Sequence, residues 1–369
     1  MTRYVFKEIA VPFILSLAIL SATALLSKVV KLVELAVVYG AGLPFLLRFV
    51  ASVMPSFLIY TIPVSFLVAV LAAFTRLSSD SELTAMKASG LGLTTLMRPV
   101  AAAALAVAGA TLLVTLYAFP WGNGNVKRLI YEASRNAVVS GIEEKTFYDK
   151  FKGVTLYVDH VTPDTGEMEG IFIAEDAKGG EPNAFFATKG ALAAPDAGSS
   201  VYMKLYDGAV HRRSAAKGYY NVAAFSTYTL ELDAGGPEPT LSGRTNRELY
   251  AGELAQKAAE LKARGESASG AIIDLHKRLV LPASVLVFAV LAVPLGIQKV
   301  RAPRFTGFSV ALGVVLLYYI ASTAFESLGE RGAINPVLAA WGSTILFAAA
   351  GAYIFLRAAK DAPVLPWGR

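Results

Sequence analysis

FVASVMPSFLIYTIPVSFLVAVLAAF, residues 49–74, carries no charged side chain over its whole length. A helix rises about 1.5 Å per residue and roughly 20 residues cross the hydrocarbon core of a bilayer. The run is therefore long enough to cross while tilted or kinked, and it contains Pro55 and Pro63. Working outward, an apolar stretch from Ile9 to Val38 precedes it, with Lys28, Lys31 and Glu34 set into its second half. PVAAAALAVAGATLLVTLYAFP (99–120) follows it. After a long gap come Leu279 to Ile297, Phe305 to Phe325 and Pro336 to Leu356. The first stretch lacks the short apolar core and small-residue cleavage site of a removed leader, so it is expected to be retained. Six spans leave both chain ends on one side.

Composition agrees. Of 369 residues, 55% are hydrophobic and 17% charged, against the roughly 25% charged expected of a soluble domain. Cysteine is absent, which excludes disulfides, thiol nucleophiles and thiolate metal sites. A net charge of +6 on a membrane chain reflects basic loops facing an anionic leaflet, with no need of nucleic acid. In a six-span arrangement Arg3, Lys7, Arg76, Lys87, Arg98, Lys299, Arg301, Arg304, Arg357, Lys360 and Arg369 all fall on one side, whereas the short opposite loops hold little beyond Arg48 and Arg331. The positive-inside rule places both termini in the cytoplasm. The expected division is residues 1–120 with spans one to three, 121–271 outside, and 272–369 with spans four to six.

The outer insert alternates like strands in VTLYVDHV (154–161), GIFIAED (170–176), NAFFATKG (183–190), VYMKLYDGAVHR (201–212) and YYNVAAFSTYTLEL (219–232), separated by Gly-, Pro- and Asp-containing turns. This predicts an antiparallel sandwich or jellyroll. NRELYAGELAQKAAELKARG (246–265) predicts a polar helix with Leu249, Leu254 and Leu261 on its apolar side. The fold class is thus an α-helical transmembrane protein of six spans with an inserted extracytoplasmic β-jellyroll.

Candidate functional residues are few. Lys28 and Lys31, three apart on one helical face, read either as interfacial anchors beside Glu34 or as a cation pair for an anionic headgroup. The insert's aromatics, among them Phe172, Phe185, Phe186, Tyr202, Tyr206 and Phe225, read either as a sandwich core or as the lining of a slot for acyl chains. No histidine has a ligand at metal spacing, so no metal and no cofactor is expected. GNGNVKR (122–128) and GLGLTT (90–95) lack the P-loop lysine and hydroxyl, and G-x-S-x-G and H-E-x-x-H are absent. The chain reads as a non-enzyme with no energy source of its own.

RLSSDSELTAMKASGLG (76–92) interrupts the apolar runs with a short polar helix. Ser79 and Glu82 fit a capping box and Gly90 a C-terminal cap, with Leu83 and Met86 on one face. Either Glu82 is only a cap, or the segment lies along the cytoplasmic membrane face and inserts into a groove of a soluble motor, with Glu82 meeting a basic residue there.

SELTAMKASG within 79–90, YAFPW (117–121) and RLVLPASVLVFAVLAVPLGI (278–297), together with one insert between spans three and four, resemble the LptF/LptG permeases of the Gram-negative lipopolysaccharide exporter. The resemblance covers essentially the whole chain and is more similar to the F member than the G member. It implies a heterodimer with a homologous six-span permease, a cytoplasmic ATPase dimer, and a periplasmic jellyroll bridge protein. It implies lipopolysaccharide as substrate, leaving the inner membrane from its outer leaflet. Glu82, with Leu83 and Met86 beside it, matches the ATPase-coupling segment, and Lys28 and Lys31 match basic substrate contacts on the first span. Other classes that the residues leave standing are an anchored enzyme, a secondary transporter, and a membrane scaffold or assembly factor for envelope biogenesis.

Overall fold

The computed structural model describes residues 2–37, 42–140, 144–151, 153–162, 167–175, 183–193, 200–214, 219–233, 244–297 and 306–360. The chain forms two compact units. One, helical, comprises Met1–Val29, Val50–Gly124 and Thr245–Arg369; the other comprises Val30–Phe49 and Asn125–Arg244. In chain order the helices are α1 (Thr2–Leu26), α2 (Val29–Val37), α3 (Leu43–Ser79), α4 (Glu82–Ala88), α5 (Leu93–Leu113), a π-helical turn (Val114–Ala118), α6 (Phe119–Ser140), α7 (Ala251–Ala263), α8 (Ser269–Gly296), α9 (Thr306–Glu330) and α10 (Pro336–Ala359).

Among the described residues six stretches are long and apolar enough to cross a membrane: Arg3–Leu26, Leu43–Ser79, Leu93–Ile130, Ser269–Gly296, Phe308–Glu330 and Pro336–Ala359. Each overlaps one of the six expected spans, with different ends. The core of the helical unit lies where α8 meets its neighbours: Val285, Phe288, Ala289, Ala292 and Val293 pack with Phe66, Val70 and Phe74 of α3 and with Leu96, Val100 and Ala104 of α5. Membrane helices gain little from hydrophobicity against one another and rely on close backbone approach. A Cβ at Gly296 would stand 2.7 Å from the Phe74 Cβ, and one at Gly342 would stand 2.7 Å from the Phe325 ring, so glycine is what lets α8 reach α3 and α10 reach α9. The Tyr318 hydroxyl shares a buried 2.8 Å hydrogen bond with Thr344 Oγ1, linking α9 to α10. Asn335 starts α10 by accepting from the Val337 N–H at 2.9 Å, with Pro336 in the first turn, the side-chain cap and proline pairing that helix starts favour.

Two departures from the expected spans have local causes. The first apolar run breaks after Leu26: Ser27 Oγ donates to the Ala24 carbonyl at 2.7 Å, and the Lys28 N–H bonds the Leu25 carbonyl at 2.8 Å. A serine that bonds its own backbone competes with helix continuation. The third run does not stop at Pro120. The π-helical turn inserts one residue into the ladder just before it, which accommodates the proline's missing N–H and ring, and α6 continues to Ser140.

In the second unit six strands, β1 (Phe147–Phe151), β2 (Val154–Val161), β3 (Glu167–Glu175), β4 (Asn183–Ala193), β5 (Ser200–Ser214) and β6 (Tyr219–Asp233), pair antiparallel in chain order as a jellyroll-like sheet. Alternation assigns the faces. Leu156, Val158, Ile171, Ile173, Phe185, Met203, Leu205 and Leu232 form the buried face, each nearly inaccessible. Five strands match the expected runs; β1 adds a sixth, in register with β2 through Phe147 opposite Tyr157.

Candidate functional site

At the end of the helical unit where the chain begins, α4 is spliced between α3 and α5. The expected capping box is not formed. α3 runs on to Ser79, its last residue, whose Oγ donates to the Thr75 carbonyl at 2.9 Å, so this serine closes one helix and does not open the next. The cap position falls to Ser81, at φ 60° with no side-chain bond, and Glu82 opens α4. The C-terminal expectation holds: Gly90, at φ +87°, donates to Lys87, and Leu91 donates to Met86, the paired bonds that close a helix on a left-handed glycine. The segment is therefore narrower than 78–90, at Glu82–Ala88.

Leu83 is 3% exposed and Met86 packs beside it, both against the bundle's own core. That apolar face seats α4 on the spans and leaves Glu82 half-buried at the rim. Sequence reading missed what holds Glu82. Tyr4, in the first turn of α1, donates its hydroxyl to Glu82 Oε2 at 2.6 Å. One turn further, Glu8 receives Arg76 Nη1 at 2.5 Å, and Arg76 Nε also reaches Asp80 at 3.4 Å. Two bridges thus join the start of span one to α4 and to the end of span two.

The opposite end of the unit holds a second polar seam. Lys277 Nζ lies 2.8 Å from Glu326 Oε2, joining α8 to α9, and Ser322 Oγ donates to the other Glu326 oxygen at 3.1 Å. A cavity of about 220 Å³ lies here, lined by Tyr60, Lys277, Tyr318, Tyr319, Ser322 and Glu326. Arg278, 4% exposed, donates to the Asn246 carbonyl at 3.3 Å and to the Leu249 carbonyl. Asn246 Nδ2 in turn donates to Asp274 Oδ2 at 2.9 Å, and Lys257 donates to Asn246 Oδ1 at 2.9 Å. The segment before α7 is thereby tied to the start of span four, and Leu249, Leu254 and Ala258 pack with Ala268 and Ala271.

Lys28 falls in the turn after α1 and Lys31 in the first turn of α2, so the two do not share one continuous helix. Lys28 is exposed and Lys31 half-buried; the side chain of Glu34 lies outside the described residues. In the β unit, Phe185 is buried and Phe225 packs beside it, while the rings of Phe172 and Phe186 meet at 5.0 Å, tilted by 47°, on the opposite face. The buried face is filled by side chains, and on the other face Tyr157, Phe172 and Phe186 line an open cavity of about 620 Å³. His160 Nδ1 meets Glu144 Oε1 at 2.7 Å, His211 Nδ1 meets the Tyr220 hydroxyl at 2.6 Å, and Trp341 Nε1 donates to His276 at 3.2 Å. The Val161 N–H also donates to Glu144 Oε1 at 2.9 Å, and that bond above all holds the Glu144 carboxyl below the usual carboxylate range. Among the described residues no group of His, Cys, Asp and Glu could hold a metal.

Six spans, a β domain between the third and fourth, and a polar helix clipped to the rim between the second and third define a permease-type membrane subunit with an inserted β domain. The family model described as "Lipopolysaccharide export system permease LptF/LptG" matches residues 3–357, and the chain belongs to that family. It is similar to the lipopolysaccharide export system permease protein LptF of Escherichia coli (strain K12), at 23% identity over 94% of this chain and 92% of that one. The LptF of Shigella flexneri matches to the same extent. An uncharacterised protein of Rickettsia prowazekii (strain Madrid E) is 22% identical over 88% of this chain and 89% of its own length. The chain is a permease subunit of lipopolysaccharide export, a multi-pass membrane protein with a periplasmic β domain.

Proposed function

We propose that this chain is the F-type half of a heterodimeric inner-membrane permease, with both termini and α4 cytoplasmic. A separate ATPase dimer docks on the rim beside Glu82. Its closure narrows a cavity shared with the homologous subunit, and lipopolysaccharide taken from the outer leaflet passes to a periplasmic jellyroll bridge protein. Residues 1–120 and 272–369 form the membrane part and 121–271 the periplasmic insert. The observation that carries this reading is α4 itself: an apolar face sunk into the bundle and a carboxylate held at its rim suit a handle that a soluble motor can push. Lys28 and Lys31 are assigned to the phosphates of the substrate, at the far end of span one from Glu82. Burial of acyl chains is worth about 0.8 kcal/mol per CH₂, so lifting several chains from a bilayer calls for a motor.

Affinity purification in mild detergent, with mass spectrometry of what accompanies the chain, is the test. An ATPase and a second six-span subunit are expected, and Glu82→Lys is expected to remove the ATPase while membrane insertion stays intact. Export unaffected by Glu82→Lys would favour a scaffold role. Charge reversal of Lys28 and Lys31 together is expected to weaken photocrosslinking to phosphorylated lipid.

A further inference from the structure

The chain's covalent path connects α4 only to spans two and three. Among the described residues span one reaches it by apolar packing, Val5 and Ile9 sharing a core with Leu83, and by two polar bridges: the Tyr4 hydroxyl on Glu82 Oε2 at 2.6 Å, and Glu8 on Arg76 at 2.5 Å, with Arg76 turning at 3.4 Å to Asp80, just past the end of α3. Tyr4 and Glu8 stand four residues apart, one turn of α1, and so present both groups to the same neighbour. The Glu8 side chain is 15% exposed and that of Arg76 55%, so the pairing sits at the bundle's rim with its carboxylate side sheltered. Tyr4 takes one Glu82 oxygen as a donor, and a carboxylate has lone pairs on both oxygens. Its other oxygen is then held in a fixed direction for a cation arriving from outside the chain.

We infer that Tyr4 is a positioning residue for Glu82, and that the Tyr4–Glu82 and Glu8–Arg76 bridges make span one move with the coupling helix. This deepens the motor-contact reading of Glu82, on which its transport consequence rests; the mechanical link is testable without any motor. A push on α4 then reaches three spans instead of two. Span one, a single helix of 25 residues, delivers it about 37 Å away at the far end, where Lys28 lies.

The native sequence has no cysteine, so spin labels on Lys7→Cys and Ser89→Cys report the separation of α1 and α4 in the full-length chain. In detergent without ATPase, the native background is expected to give one narrow distance distribution, and Tyr4→Phe combined with Arg76→Met a broadened one. An unchanged distribution overturns the link whatever the fate of the motor contact. Fluorotyrosine at position 4 gives the second readout: its fluorine resonance is expected to shift on Glu82→Gln and to stay put on Thr84→Ala. No shift on Glu82→Gln overturns the positioning role. In the assembled exporter, Tyr4→Phe is expected to lower export per ATP hydrolysed by about fivefold, the scale of one exposed polar contact, with Tyr4→His restoring part of it through its ring N–H. If both chain-level readouts behave as expected but Glu82→Lys still retains the ATPase, the link stands and the motor contact fails.

Discussion

Thr115 donates its hydroxyl to the main-chain carbonyl of Arg278 at 2.9 Å, and that carbonyl lies four residues before Pro282 in α8. A helical proline has no N–H for the carbonyl one turn back; in a bilayer, a hydroxyl from a neighbouring helix can take its place. Thr115 sits in the π-helical turn that ends α5 and is 2% exposed. Thr115→Val is therefore expected to cost about 1–3 kcal/mol, the penalty for an orphaned buried acceptor, and Thr115→Ser much less. Pro282→Ala restores the N–H, so a double-mutant cycle by thermal unfolding in detergent should show Thr115→Val costing less in that background. Equal costs in both backgrounds would remove the compensation.

The Lys277–Glu326 pair is expected to behave as a coupled unit. Their side chains are 26% and 21% exposed, and breaking one partner leaves a poorly solvated charge against α8 or α9. Lys277→Met or Glu326→Gln alone should each destabilise by about 1–3 kcal/mol, while the double variant should recover part of the loss. Thermal unfolding of the three variants measures this; additive losses would mean the two side chains act independently.

How far the sequence reaches depends on the range of the physics. The spans and five strands are local patterns, an apolar run or a two-residue alternation, and both emerge close to where they are expected, the ends of the first and third runs apart. FYDKF (147–151) hides β1 because charges interrupt so short a run. The break at Ser27 hides because the apolar run around it is continuous and the cause is one hydroxyl turning onto its own backbone. Ser79 misleads for the same reason: a cap and a serine in the last turn of the preceding helix differ only in which carbonyl or N–H the hydroxyl meets. Pro282 announces in the sequence that the Arg278 carbonyl needs a donor, yet nothing local says that Thr115 supplies it. Tyr4 and Glu82 are 78 residues apart, and only the packing of spans one and two brings them together.

Glu144 should make the β1–β2 edge sensitive to acid. Its carboxyl is depressed chiefly by the Val161 N–H and next by nearby His160 and Lys145, so the folded edge favours the ionised form. A depressed carboxyl stabilises fully above its unfolded value, and that contribution is lost as pH falls through the folded one. A nitroxide on Thr146→Cys should accordingly gain mobility on the acid side of the ordinary carboxylate range. Glu144→Ala, which has no acceptor for the Val161 N–H, should be mobile at every pH, and a flat profile in the unsubstituted background would refute the assignment.

The two faces of α4 should separate stability from coupling. Leu83 is 3% exposed within a core that includes Leu77, Leu93 and Leu96, so Leu83→Ala removes buried volume and leaves a cavity, at about 2–5 kcal/mol. Glu82→Gln keeps the size of the side chain and one acceptor oxygen for Tyr4, so it should leave the unfolding temperature nearly unchanged while weakening any contact that needs the negative charge. Retention of the proposed ATPase partner on the purified chain, set against its unfolding temperature, separates the two: Glu82→Gln is expected to lose the partner at constant stability, and Leu83→Ala to lose stability first. Met86 is only partly buried and should fall between them when cut to alanine. If Leu83→Ala instead left stability untouched and abolished ATPase retention, Leu83 would belong to the docking face, and the seating of α4 would have to come from Met86 and the Tyr4–Glu82 bond.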